Sequence, residues 1–123
     1  MCIDVFENNR YFNEHEFMCP CCGGCDMDIF FIELLTSARI MAGVKFIINS
    51  GFRCPAHNVK VGGKSTSAHL EGLAADIRCP NSHYRSRIIS ALIFTGFHRI
   101  GIGQDFIHVD LDPYKPAEVA WLY

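Results

Sequence analysis

The sequence carries no excess of basic charge: 11 Lys and Arg stand against 13 Asp and Glu, a formal net charge of -2. Phosphate backbones are bound by concentrated cationic charge, so a nucleic-acid partner is not expected. Long apolar runs are missing too. The most apolar stretches, residues 29–35 and 44–48, fall far short of the roughly 20 residues that cross a bilayer, and no membrane partner is expected. The first twenty residues, MCIDVFENNRYFNEHEFMCP, mix acids, amides and aromatics with neither a basic leader nor an apolar segment. No export signal is expected in them. Internal repeats and low-complexity tracts are also lacking.

What is present is the composition of a folded protein, 50% hydrophobic and 20% charged, well away from that of a disordered chain. The 123 residues leave room for one core, hence for one domain over residues 1–123, expected to act as a monomer. Seven cysteines, an odd count, cannot all pair within one chain, so at least one thiol is free, reactive or a ligand. Without an export signal, clustered cysteines point to metal more than to disulfides.

Residues 1–26 read as a lead-in, with aromatic anchors Phe6, Tyr11, Phe12 and Phe17 followed by the knot CPCCGGCD. Pro20, Gly23 and Gly24 make that knot turn-rich. From Asp28, read as an N-cap, IFFIELLTSARIMAG places apolar residues at 30, 31, 34, 35, 38 and 41. This three-and-four spacing predicts an amphipathic helix, stopped by Gly43. VKFIINSGFR, residues 44–53, reads as a strand. Residues 54–73, rich in Gly, Ser, Lys and Asn, read as a long loop of the kind that carries function. ADIRC is a short strand, and HYRSRIISALIFTGF a second helix with apolar positions 88, 89, 92 and 93. HRIGIG and DFIHVDLD close the core as a strand pair. This order predicts an α+β domain, a mostly antiparallel sheet with flanking helices. The phenylalanines at 30, 31, 46, 94 and 97 are assigned to the core.

Three segments carry chemistry together: SGFR at 50–53, SAHLEGLAAD at 67–76 and DFIHVD at 105–110. On one straight helix His69 and Asp76 would lie about 10 Å apart along the axis, too far to share an ion. If Gly72 makes a turn and Asp76 opens a strand, both side chains converge at the roughly 2 Å distances that zinc demands. Strand alternation puts His108, Asp110 and Asp112 on one face and Ile107, Val109 and Leu111 on the other. Two histidines and a carboxylate from two segments match the three-ligand pattern of catalytic zinc, which leaves a fourth position open. His15, His57, His83 and His98 fit no ligand pattern.

On SGFRCPAHN, on HLEGLAAD as an instance of HxxGxAxD, and on DFIHVD, the chain resembles the zinc D-Ala-D-Ala carboxypeptidase family, which includes L-alanyl-D-glutamate endopeptidases. The resemblance runs from about Phe12 to about Asp112. It implies the fold shared with the hedgehog signalling domain, a Zn2+ cofactor, and hydrolysis of an amide bond in peptidoglycan stem peptides. Carried over by residue, it implies His69, Asp76 and His108 as zinc ligands and Asp105 as general base for the attacking water. Arg53 is implied as the cation that polarises the scissile carbonyl, and Ser67 as a substrate contact. Some members place a histidine two residues before the last ligand. Phe106 stands there in this chain, which points to the subgroup with an acidic base. Asp110, in phase with His108, is the alternative base or the partner that orients His108. The missing export signal suits a phage-type lysis enzyme, made in the cytoplasm and acting on the wall.

Cys19, Cys21, Cys22 and Cys25 have spacings that suit a metal knuckle, which Cys54 or Cys79 would complete. Disulfides and free buried thiols are the other two readings, and all three stay open. Two rival functions remain as well: a non-catalytic zinc-bearing recognition domain of the same fold, and a zinc-knuckle nucleic-acid binder, which the acidic balance disfavours.

Overall fold

The computed structural model describes residues 3–123, so the first two residues of the lead-in lie outside the described residues. The rest of the lead-in is tied down by its aromatics. A short helix α1 (Ile3–Phe6) and a 3-10 turn at Glu14–Phe17 are joined by ring contacts, with Phe6 stacked on Phe17 at 5.2 Å and Phe12 edge-on to it at 5.4 Å. The 3-10 turn starts on a capping box, in which Asn13 accepts from the Glu16 amide and Glu16 from the Asn13 amide, satisfying two otherwise unpaired donors.

Helix α2 (Ile29–Ala42) begins where its caps dictate: the Asp28 carboxylate accepts from the Phe31 amide, and Gly43, left-handed at φ 68°, ends it. The buried stripe is Phe31, Ile32, Leu35, Ala38 and Ala42. It is turned from the predicted one, leaving Phe30 72% exposed and Met41 outward. Strand β1 is confined to Ile48–Ser50, a fraction of the expected 44–53. Inside the expected loop the chain forms helix α3 (Pro55–Lys60) and a 3-10 turn at Ala68–Glu71. Cys54 caps α3 and proline occupies its first turn, where a missing N–H costs nothing.

Strand β2 (Ala74–Arg78), helix α4 (Ser82–Thr95), strands β3 (Arg99–Ile102) and β4 (Phe106–Asp110) follow near their predicted positions. Strand β5 (Val119–Leu122) was not foreseen. The sheet order is β1-β2-β4-β3-β5. Its pairings are antiparallel except β3 with β5, which run parallel, so the sheet is mixed. One face carries Ala75, Ile77, Ile100, Ile107 and Val109 into the core, where they join the buried faces of α2 and α4. Phe31, Phe46 and Phe97 belong to that core, but Phe94 does not: it is 77% exposed on the outer side of α4. With one wall of the sheet covered by helices, the other is left to build a site.

Candidate active site

The uncovered face is organised by register. Ser50 pairs with Asp76, Asp76 with His108, His108 with Gly101, and Gly101 with Trp121, giving one row across all five strands. Directly opposed residues point the same way with Cβ atoms about 5 Å apart, so the polar members of the row meet. His108 Nδ1 is 2.9 Å from Asp76 Oδ1. Gly101 supplies the room: a Cβ there would come within 2.7 Å of the Trp121 indole nitrogen.

His69 arrives from outside the sheet. Ser67 caps its 3-10 turn by accepting from the His69 amide at 3.3 Å, and Gly72 ends the turn at φ 70°, the left-handed region that a side chain disfavours. A Cβ at Gly72 would lie 1.9 Å from the Asp26 carbonyl, so this position is closed to other residues twice over. The turn brings His69 Nε2 within 3.4 Å of Asp76 Oδ1. Asp76 sits at the middle of β2, rather than opening it as the sequence suggested.

The hydrogen bonds assign the ring nitrogens. His69 Nδ1 lies 2.7 Å from the Gly51 carbonyl, which only accepts, so Nδ1 carries the hydrogen and Nε2 turns its lone pair toward Asp76. His108 lies between two carboxylates, with Nε2 2.7 Å from Asp110 Oδ2. Burial opposes charging this ring, yet Asp110 and Asp76 hold its pKa above the ordinary histidine value. Burial pushes the Asp76 carboxyl up, but His108 and His69 outweigh it and bring it below the usual range. Asp110 follows the same balance: burial raises it, and His108, the Asp112 amide and Arg99 lower it further.

Arg53 approaches from the end of β1. Its Nε donates to Ser50 Oγ at 3.2 Å, Nη1 to Asn58 Oδ1 at 3.3 Å and Nη2 to Asp76 Oδ2 at 3.4 Å. Arg53 and Asp76 border a cleft of about 550 Å³ whose walls also include Ser67, His69, His108 and Asp110. Asp105 is not brought to it. That residue is exposed in the β3–β4 turn, where its carbonyl accepts from the Cys79 amide at 2.8 Å. Its neighbour Phe106 does line the cleft.

The family model described as Peptidase M15 matches residues 10–110, most of the 123-residue chain. The chain belongs to the peptidase M15 family. No curated protein matches it. It is therefore a metallopeptidase, of a family that depends on a metal, typically zinc, and its α+β architecture agrees with the hedgehog/DD-peptidase-like fold.

The donor set of this M15 peptidase suits such an ion. One ligand atom each from His69, Asp76 and His108 lies within 4.8 Å of the others, and both histidines have their second nitrogen engaged, by Gly51 and Asp110. Engagement of the second nitrogen fixes the tautomer that a ligating imidazole needs.

Several residues of the candidate site escaped the sequence reading. Arg99 holds Asp110 at 2.7 Å and stacks over Trp121 at 4.9 Å. Trp121 and Tyr123 both lie beside His108. Burial raises the Tyr123 pKa. Only strand β5, which had no sequence signal, puts these rings in place. Asn58, 2% exposed, holds Arg53, and its position in a segment expected to be a loop hid that role.

The cysteines divide. Cys19, Cys22 and Cys54 have sulfur atoms within 4.8 Å of one another, and Cys21, exposed in the same turn, stands outside that group. Burial pushes the Cys19 thiol up, but backbone amides of Cys54, Cys22 and Cys21 bring it down to about 7. Cys25 is disulfide-bonded and Cys79 is buried beside the Asn81 carbonyl, so neither joins the group.

Proposed function

We propose that the protein is a zinc peptidase that hydrolyses an amide bond in the stem peptides of bacterial peptidoglycan, the L-Ala–D-Glu or the D-Ala–D-Ala bond. The observation that carries this reading is the convergence of His69 Nε2, Asp76 and His108 Nδ1 beside Arg53 in one cleft. Zinc held by these three residues would supply a Lewis acid that polarises a carbonyl and acidifies water.

The remaining roles belong to the chain. Arg53 uses three of its five N–H donors on Ser50, Asn58 and Asp76, which leaves one on each terminal nitrogen for the scissile carbonyl oxygen as it gains charge. Three restraints hold the guanidinium in place before the substrate arrives, so little reorganisation is needed. Asp110 has one oxygen on His108 and the other on Arg99. It is a positioning residue for His108. With Asp110 committed, the base role goes to Asp105 on its place three residues before His108, which fits the acidic-base pattern; its side chain, exposed in the β3–β4 turn, would have to swing toward the cleft to take a proton there. Lys64 lines the same cleft and is suited to a stem-peptide carboxylate, with Ser67 as a further contact.

The test is digestion of purified peptidoglycan by zinc-loaded protein with and without a chelator, reading released termini by mass spectrometry. New L-Ala carboxyl ends, or free D-Ala, that vanish with the chelator are expected. Zinc-loaded protein that leaves peptidoglycan untouched would favour the non-catalytic recognition domain instead.

A further inference from the structure

We propose that Cys19, Cys22 and Cys54, with Cys21 as the fourth ligand, form a second, structural zinc site distinct from the cleft. The three sulfur atoms within 4.8 Å of one another come from two distant parts of the chain. Zn–S bonds of about 2.3 Å in a tetrahedral site place sulfurs roughly 3.8 Å apart, so small adjustments suffice. The segment Cys19-Pro20-Cys21-Cys22-Gly23 has the C-x2-C spacing of a metal knuckle, and Gly23 at φ 71° turns the chain back so that both sulfurs face Cys54.

The hydrogen bonds favour metal over a disulfide. Each of the three sulfurs accepts a backbone N–H: Cys19 from Cys54 at 3.4 Å, Cys22 from Gly24 at 3.3 Å, and Cys54 from His57 at 3.4 Å. An N–H aimed at each of the three sulfurs supplies the hydrogen bond that orients a ligating sulfur. A disulfide would use two sulfurs and strand the rest. All four of these cysteines are free thiols; Cys21 lies outside the group of three, and its exposed side chain would turn toward them to serve as the fourth ligand.

The site joins the lead-in to the residue that follows Arg53. Cys54 also caps α3, the helix that carries Asn58 to Arg53. A metal here would clamp the guanidinium's support from behind, without touching substrate.

The test is metal stoichiometry on the full chain purified under reducing conditions, with cobalt as a spectroscopic probe. Wild type is expected to hold two zinc ions, and the double variant His69→Ala/Asp76→Ala to keep one. Cobalt-loaded protein should show a thiolate-to-cobalt charge-transfer band that survives in that variant and is lost in Cys22→Ser and Cys54→Ser. A wild-type chain that binds a single ion and shows no such band would overturn the proposal without recourse to any variant. So would mass-spectrometric detection of a disulfide among Cys19, Cys22 and Cys54 in the reduced preparation, or iron in place of zinc.

Discussion

Asp76 on β2 and His108 on β4 are direct cross-strand partners, and their side chains meet at 2.9 Å on the face turned away from the helices. A pair of candidate ligands placed this way inherits the rigidity of the sheet, because neither Cα can shift without breaking ladder hydrogen bonds. His69, the third member, comes from a turn strapped to the same sheet by the Arg53 amide donating to the His69 carbonyl at 3.1 Å.

Replacing Asp110 should test how far His108 depends on its partner. Asp110→Asn keeps the shape but removes the charge that accepts from His108 Nε2 at 2.7 Å. Loss of such an outer partner typically weakens metal affinity about 10–100-fold. Chelator competition would measure it, and an unchanged affinity would show that Asp76 and His69 orient the ion alone.

Arg53→Lys should lower kcat by about 10²–10³-fold, the scale for losing one oxyanion donor, while zinc content stays at the wild-type value. Lysine keeps the charge but cannot reach Ser50, Asn58 and Asp76 at once as the guanidinium does. Steady-state kinetics on a stem-peptide substrate together with metal analysis would separate the two effects. A loss confined to KM would place Arg53 in ground-state binding.

Asp105→Ala should abolish turnover and leave zinc bound, since the residue is exposed and outside the ligand group. A general base contributes about 10²–10⁴-fold. Hydrolysis retained at near wild-type rates would remove Asp105 from the mechanism and return the role to the acids within the cleft.

Gly72→Ala should destabilise the fold by more than about 2 kcal/mol. The added methyl meets the Asp26 carbonyl at 1.9 Å and forces a side chain into φ 70°. The Asp28 amide bonded to the Gly72 carbonyl would be pulled with it. Thermal melting of the metal-free protein reads this directly, and a melting temperature within a degree of wild type would contradict it.

Much of this molecule was legible from its residues. The caps Asp28 and Gly43 mark both ends of α2, and HxxGxAxD with DFIHVD marks the segments that meet in the cleft, because turn chemistry and ligand type are local properties of sequence. Helix α3 was missed because six residues rich in polar side chains show no stripe. Phe30 and Phe94 were misplaced because apolar spacing gives a helix's period but not its exact rotation against a neighbour.

By itself, then, the sequence determined which residues have the chemistry to bind metal and roughly where helices and strands begin. Pairing decided the rest. That His108 opposes Asp76, that Asp110 is locked between His108 and Arg99, and that β5 lays Trp121 and Tyr123 beside His108 are consequences of strand register. Register is set by contacts between segments far apart in the chain, and no local pattern records it.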